Sequence, residues 1–144
     1  MTKITASITT SVDGYITGPN DGPRRGLGEG GPALLSWVFG GPWDYDEGPK
    51  GEATGVDKAF LDEAVAKARE AAGDKVVNIM GGANIIRQAL ASGQVQEFTL
   101  IISPITLGAG KRLFDGFDRR IELEHLGVRQ SPFATFITYR VKRR

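Results

Sequence analysis

The chain of 144 residues has no cysteine and one histidine, and its formal net charge is only +1. Without cysteine, disulfides, thiolate nucleophiles and cysteine-ligated metals are excluded. His125 sits in the strand-like segment Ile121-Glu122-Leu123-Glu124-His125. It has no second histidine with which to share a metal or relay a proton, so a structural role is expected of it, and no metal site. A charge near zero provides no basic field for nucleic acid. Arg140, Lys142, Arg143 and Arg144 do crowd the C-terminus, which reads as a solvated strand end. No apolar run is long enough to span a bilayer, and the N-terminal residues lack the apolar stretch of a signal peptide. A cytoplasmic protein with neither a membrane nor a nucleic-acid partner is the resulting expectation. What is there is ordinary globular material, 40% hydrophobic and 24% charged. The length suits one domain, 1–144, with a core of useful size.

Lys3 to Thr9 alternates, with Ile4, Ala6 and Ile8 on one face and Thr5, Ser7 and Thr9 on the other, which predicts a strand. Asp13-Gly14 follows as a turn signal. It makes either a hairpin or a strand that runs into a loop over a pocket. Residues 18–55 hold most of the prolines, about half of the glycines and both tryptophans. A stretch this long without periodicity is functional or mobile, and its aromatics argue against disorder. Trp37 and Phe39 either plug the core or belong to a lid over a flat ligand. Val56 to Ala72 is the strongest helix, with Val56, Phe60, Ala64 and Ala68 at four-residue steps and Leu61, Val65 and Ala72 beside them. Thr54 suits its N-cap, and Asp57, Asp62 and Glu63 suit its dipole. Val76 to Met80 reads as a buried strand and Ala83 to Ala91 as a helix. Phe98 to Ile102 is a continuous apolar run, as in a central strand covered on both faces. Ile121 to Arg129 and Phe133 to Val141 alternate as two further strands joined at Ser131-Pro132.

This order predicts an α/β fold: a mixed, mostly parallel sheet flanked by helices, ending in an antiparallel hairpin. In such sheets ligands lie outside the carboxyl ends of the strands. That rule lines up Asp13-Gly14, Gly81-Gly82 and Thr106-Leu107-Gly108 along one rim. Gly81-Gly82, between a strand and a helix, offers bare amides at a positive helix end. This is either a phosphate cradle or only a tight turn.

Three segments in this order resemble the dihydrofolate reductase-like superfamily, in the branch of the C-terminal reductase domain of riboflavin-biosynthesis proteins. Ser11-Val12-Asp13-Gly14-Tyr15-Ile16 is similar to the family's Ser-x-Asp-Gly motif. Met80-Gly81-Gly82-Ala83-Asn84-Ile85-Ile86 is similar to its diphosphate-binding element. Pro104-Ile105-Thr106-Leu107-Gly108-Ala109-Gly110-Lys111-Arg112-Leu113-Phe114 resembles its Pro-x-x-Leu-Gly-x-Gly-x-x-Leu-Phe signature. The resemblance implies NADPH and hydride transfer to a pteridine- or pyrimidine-like small molecule. It gives Gly81 and Gly82 to the cofactor diphosphate, with Ala83 and Asn84 opening the helix behind it. It gives Ala6 and Ile16 to the nicotinamide pocket and puts Asp13 and the cofactor-binding Gly14 where nicotinamide and substrate meet.

Asp13 is the best-placed acid for catalysis, although an Asp before Gly is also a turn former. Members of the family usually carry more strands and helices between the first long helix and the strand before Gly-Gly, and these form one edge of the sheet. Here one helix runs straight into Val76. The sheet is therefore expected to lack those edge strands and to end at Val76 to Met80, an apolar edge that a second copy of the chain would cover as a homodimer. The alternative is a catalytically degenerate member that serves as a ligand-binding or interaction protein.

Overall fold

The computed structural model describes residues 3–74, 76–80 and 83–143; for 68–74, 76, 77 and 80 it describes the backbone. In chain order the elements are β1 (Lys3–Thr10), β2 (Tyr15–Thr17), a 3-10 turn (Gly31–Leu35), α1 (Ser36–Phe39), β3 (Trp43–Asp44), β4 (Gly48–Pro49), α2 (Gly55–Asp74), β5 (Val76–Met80), α3 (Ala83–Ala91), β6 (Glu97–Ile102), β7 (Lys111–Arg112), β8 (Leu123–Gln130) and β9 (Thr135–Val141).

Five strands form one sheet in the order β5-β1-β6-β9-β8. β1 lies parallel to both β5 and β6, and β9 and β8 close the sheet antiparallel. The mixed α/β architecture is therefore the one expected, and the apolar run around Leu100 is its middle strand. The expected edge is also found, since β5 has β1 as its only partner among the described residues.

Two side-chain clusters fill the two faces. Ala6 and Ile8 of β1 pack with Phe98 of β6, Val141 of β9 and Ile86 and Leu90 of α3. On the opposite face Ile101 and Phe136 pack with Trp37 of α1 and Phe60 of α2. The strands alternate in and out, so covering both faces requires a helix on each side. The connection from β1 to β5 runs over one face and that from β5 to β6 over the other.

Burial refines several expectations. Thr5 and Ser7, on the face of β1 opposite Ala6 and Ile8, are buried as well. Thr5 Oγ1 donates to Asn78 Oδ1 at 3.0 Å in the neighbouring strand, which makes that burial tolerable. Val65 is half exposed, because α2 contacts the sheet on a narrower stripe than its sequence suggests. Asp57 is buried against Ser131 and does more than face a helix dipole. β9 buries Phe136 on one face and Val141 on the other.

The segment 18–55 is organised by its aromatics. Trp37 is the core plug. Its ring meets Phe60 and Phe136 edge-on at 5.7 and 5.2 Å, and its Nε1 donates to Thr9 Oγ1 at 3.2 Å. Phe39 is not part of that core; it meets Trp43 edge-on, and Trp43 meets Tyr45 in the same way. The Tyr45 hydroxyl accepts from the Leu27 amide at 2.8 Å and donates to the Gly28 carbonyl at 3.1 Å. This closes the long excursion on itself.

Candidate active site

The carboxyl ends of β1, β5 and β6 make a stepped rim. β5 stops at Met80, opposite Ser7, while β1 continues to Thr10, which pairs with Ile102. The chain leaves β1 toward one face of the sheet and leaves β5 toward the other. Two neighbouring strands whose connections part in this way open a crevice between their loops. Residues 11–14 follow β1, and α3 begins after β5.

The turn after β1 is built by Ser11. Its amide donates to the Tyr15 carbonyl at 2.9 Å, and its buried hydroxyl accepts from the Tyr15 amide at 2.9 Å. The same hydroxyl donates to Asp13 Oδ1 at 2.5 Å. No hairpin with β1 results. β2 instead pairs antiparallel with β7, which brings the 104–112 loop across the rim.

Asp13 ties these loops together. Its Oδ1 accepts from the Leu107 amide at 3.1 Å and its Oδ2 from the Gly108 amide at 2.8 Å. Val12 N adds a backbone bond to the Ile105 carbonyl at 2.8 Å. The Ser11 hydroxyl contributes most to holding the Asp13 carboxyl down at about 2, against an ordinary 3.8. Desolvation opposes this, and the amides of Gly108 and Leu107 reinforce it. A carboxyl so held is ionised at neutral pH, and three donors occupy its oxygens. Its geometry is that of a clamp.

Behind the clamp, Ser103 Oγ donates to the Leu34 carbonyl at 2.5 Å, which fastens the 3-10 turn beneath the rim loop. At the outer side the Arg112 guanidinium lies over the Tyr15 ring, 4.7 Å from its centroid, and the Tyr15 hydroxyl reaches the Gly108 carbonyl at 3.4 Å.

Two glycines of these rim loops have left-handed backbone. Gly14 has φ +89° and Gly108 φ +75°, and open space lies where a Cβ would stand at either. Such bare backbone permits close approach of a flat or charged group. Ala6 and Ile16 are buried in the cluster under α3, below the rim. Ala83 is half-buried and Asn84 exposed in the first turn of α3. The Asn84 Oδ1 accepts from Gln88 Nε2 at 3.2 Å. Gly81 and Gly82 lie outside the described residues. Ser103 and Arg112 were given no role from the sequence, and Ser11 was read only as part of the Ser-x-Asp-Gly motif. Ser11 carried a signal all the same, as the hydroxyl two residues before an Asp-Gly turn.

Comparison with known proteins gives the family and the fold. The family model of the RibD C-terminal domain matches residues 43–134. The chain belongs to that family. A putative riboflavin biosynthesis protein from Shewanella sp. PV-4 superposes with a TM-score of 0.54 at 20% identity, covering 98% of this chain and 99% of that one. A pyrimidine reductase-like protein from Corynebacterium diphtheriae superposes with a TM-score of 0.57 at 16% identity, covering 99% and 93%. The riboflavin biosynthesis reductase of Saccharomyces cerevisiae gives 0.54 at 12% identity, covering 99% and 89%. These likenesses establish the dihydrofolate reductase-like fold. No curated protein matches the chain. Family membership supports a reductase of the riboflavin and folate type. Among the described residues no helix is long and apolar enough to cross a membrane.

Proposed function

We propose that the chain is an NADPH-dependent reductase acting on a pteridine- or pyrimidine-like small molecule. The observation that carries this reading is the rim at the carboxyl ends of the parallel strands, where Gly14 and Gly108 leave open space at their Cβ positions. Bare backbone beside the start of a helix suits a dinucleotide. When bound, the reduced nicotinamide supplies the hydride.

The chain's own residues bind, orient and exclude water. On this reading Gly81, Gly82, Ala83 and Asn84 hold the diphosphate, and Gly14, with Ala6 and Ile16 beneath it, shapes the nicotinamide end. Asp13 is a positioning residue. It fixes the two rim loops against each other, so that cofactor and substrate meet at a constant separation. The domain is proposed to span 1–144 and to work in the cytoplasm.

Titration with NADPH, followed by the emission of Trp37 and Trp43, tests the reading. Saturable quenching is expected, with Gly82→Val weakening it by blocking backbone approach. No response at millimolar NADPH overturns the reading.

A further inference from the structure

A cleft of about 1150 Å³ lies away from the rim. It lies at the amino end of the parallel strands. Ile4 is in its floor, six residues along β1 from Thr10, so the two sites are about 20 Å apart. Its walls are the C-terminal turn of α3 on one side and residues 118–122 on the other, and Ile121, Val141 and Leu90 complete an aliphatic floor.

Charge is concentrated here. Arg119, Arg120, Lys142 and Arg143 line the cleft against Asp118 and Glu122, an excess of two cations in a chain whose net charge is +1. A helix C-terminus ordinarily repels an anion and attracts such cations. Here that end is already satisfied. The Gln88 carbonyl accepts from Ser92 N, the Ala89 carbonyl from Ser92 Oγ, and the Leu90 carbonyl from Gly93 N. The Ala91 carbonyl accepts from Arg119 at 3.3 Å, across the cleft. The side chains of Lys142 and Arg143 make no ion pair or hydrogen bond among the described residues. They are exposed beside an apolar floor with their charge unspent.

The geometry points to a second binding site in this cleft, for a small amphipathic anion: an apolar body on Ile4, Leu90, Ile121 and Val141, with a carboxylate or phosphate head between Lys142 and Arg143. A concave apolar floor with a few convergent polar groups is the general form of a small-ligand site. Lys142 and Arg143, two of the C-terminal basic residues that read as a solvated strand end in sequence, are then the head-group recognition of this site. The inference stands apart from the reductase reading, because it uses no residue of the rim.

The test uses the full chain and 8-anilinonaphthalene-1-sulfonate as fluorescent probe, displaced by octanoate, octyl phosphate or the neutral octanol. Saturable probe binding is expected, with displacement by one or both anions and not by octanol. The double variant Lys142→Glu/Arg143→Glu changes only exposed side chains and should weaken anion binding tenfold or more. Gln94→Trp, filling the cleft from its wall, should remove the site while NADPH titration is unchanged. Equal displacement by octanol and octanoate overturns the inference. So does undiminished octanoate binding in either variant, shown folded by circular dichroism.

Discussion

Asp13 Oδ2 accepts the amide of Gly108 at 2.8 Å across 95 positions of sequence. With the Leu107 bond, this one carboxylate determines how the first loop of the sheet sits against the loop that follows β6. Asp13→Asn keeps the shape but replaces one acceptor by an amide nitrogen that cannot accept from a backbone N–H. The expected result is a folded protein whose NADPH affinity falls about tenfold, since misplaced positioning groups cost one to two orders of magnitude. The sign with pH follows from the carboxyl held at about 2 against 3.8. Its contribution to stability is complete above the ordinary value and is lost as pH falls from about 4 to about 2. Thermal unfolding across that range should show an acid-side loss in the parent chain that is reduced in Asp13→Asn. Parallel curves would contradict the clamp.

Two glycines of the rim separate fold from function. At Gly110, φ is +135° and a Cβ would stand 1.8 Å from the Thr17 carbonyl oxygen, so Gly110→Ala must push β2 and β7 apart. A loss of roughly 2–4 kcal/mol is expected, of the size found where a side chain is forced into backbone or left-handed strain. At Gly14 the space is open, and Gly14→Ala should cost only about 1–2 kcal/mol for its left-handed backbone. Its larger effect should be on NADPH affinity, through the methyl group placed at the rim. Chemical denaturation and cofactor titration of the two variants should therefore rank them in opposite orders.

The sheet was legible because its strands differ in burial in ways that composition records. Leu100 and Ile101 point to opposite faces, and both are covered, so their strand reads as an unbroken apolar run. The alternation of β1 did not show that Thr5 is buried too, with Asn78 of the next strand as its partner. The rim was legible as a set of glycine-bearing loops. What joins them was not. The partners of Asp13 are backbone amides, which every loop possesses, and only the fold selects which two it meets. The Trp37 plug was one of two open readings for the same reason, since an aromatic in a proline- and glycine-rich stretch does not reveal what it packs on.

Trp37 also provides a stability prediction. It is 2% exposed between Phe60 and Phe136, and it joins α1 and α2 to the sheet. Trp37→Ala should cost about 3–5 kcal/mol, the usual range for removing a large buried aromatic. Trp37→Phe should recover most of this, losing mainly the bond to Thr9. Urea unfolding of the two variants measures the difference. Equal losses would mean that the bond to Thr9, not the packing, holds the segment.

β5 ends the sheet with its outer flank unpaired among the described residues. An exposed strand edge invites a second chain. We therefore propose a homodimer formed through this edge or the surface beside it. Sedimentation velocity at micromolar and lower concentration should give the mass of two chains, and Val77→Pro, which removes an edge donor, should shift it toward one. A parent chain that sediments as a monomer would set the proposal aside.

Asp57 and Ser131 connect the first turn of α2 to the turn between β8 and β9. Ser131 Oγ donates to Asp57 Oδ1 at 2.7 Å while accepting from the amides of Phe133 and Ala134 at 3.1 Å each. Desolvation raises the Asp57 carboxyl above its ordinary value, and the Ser131 bond partly restores it. A raised acid favours its protonated form in the folded chain. Its contribution to stability is thus present below the ordinary carboxylate value and is lost as pH rises through the raised one. Ser131→Ala leaves the buried carboxylate without its donor and should cost about 1–3 kcal/mol at neutral pH. The cost should be smaller at about pH 4, where the proton satisfies part of the need. Asp57→Asn keeps an acceptor for Ser131 without the charge, so its stability should vary less between about pH 4 and pH 7 than that of the parent. Denaturant unfolding at both pH values decides it. A Ser131→Ala penalty that does not grow with pH would show that the hydroxyl serves only the turn, and that Asp57 is held by something else.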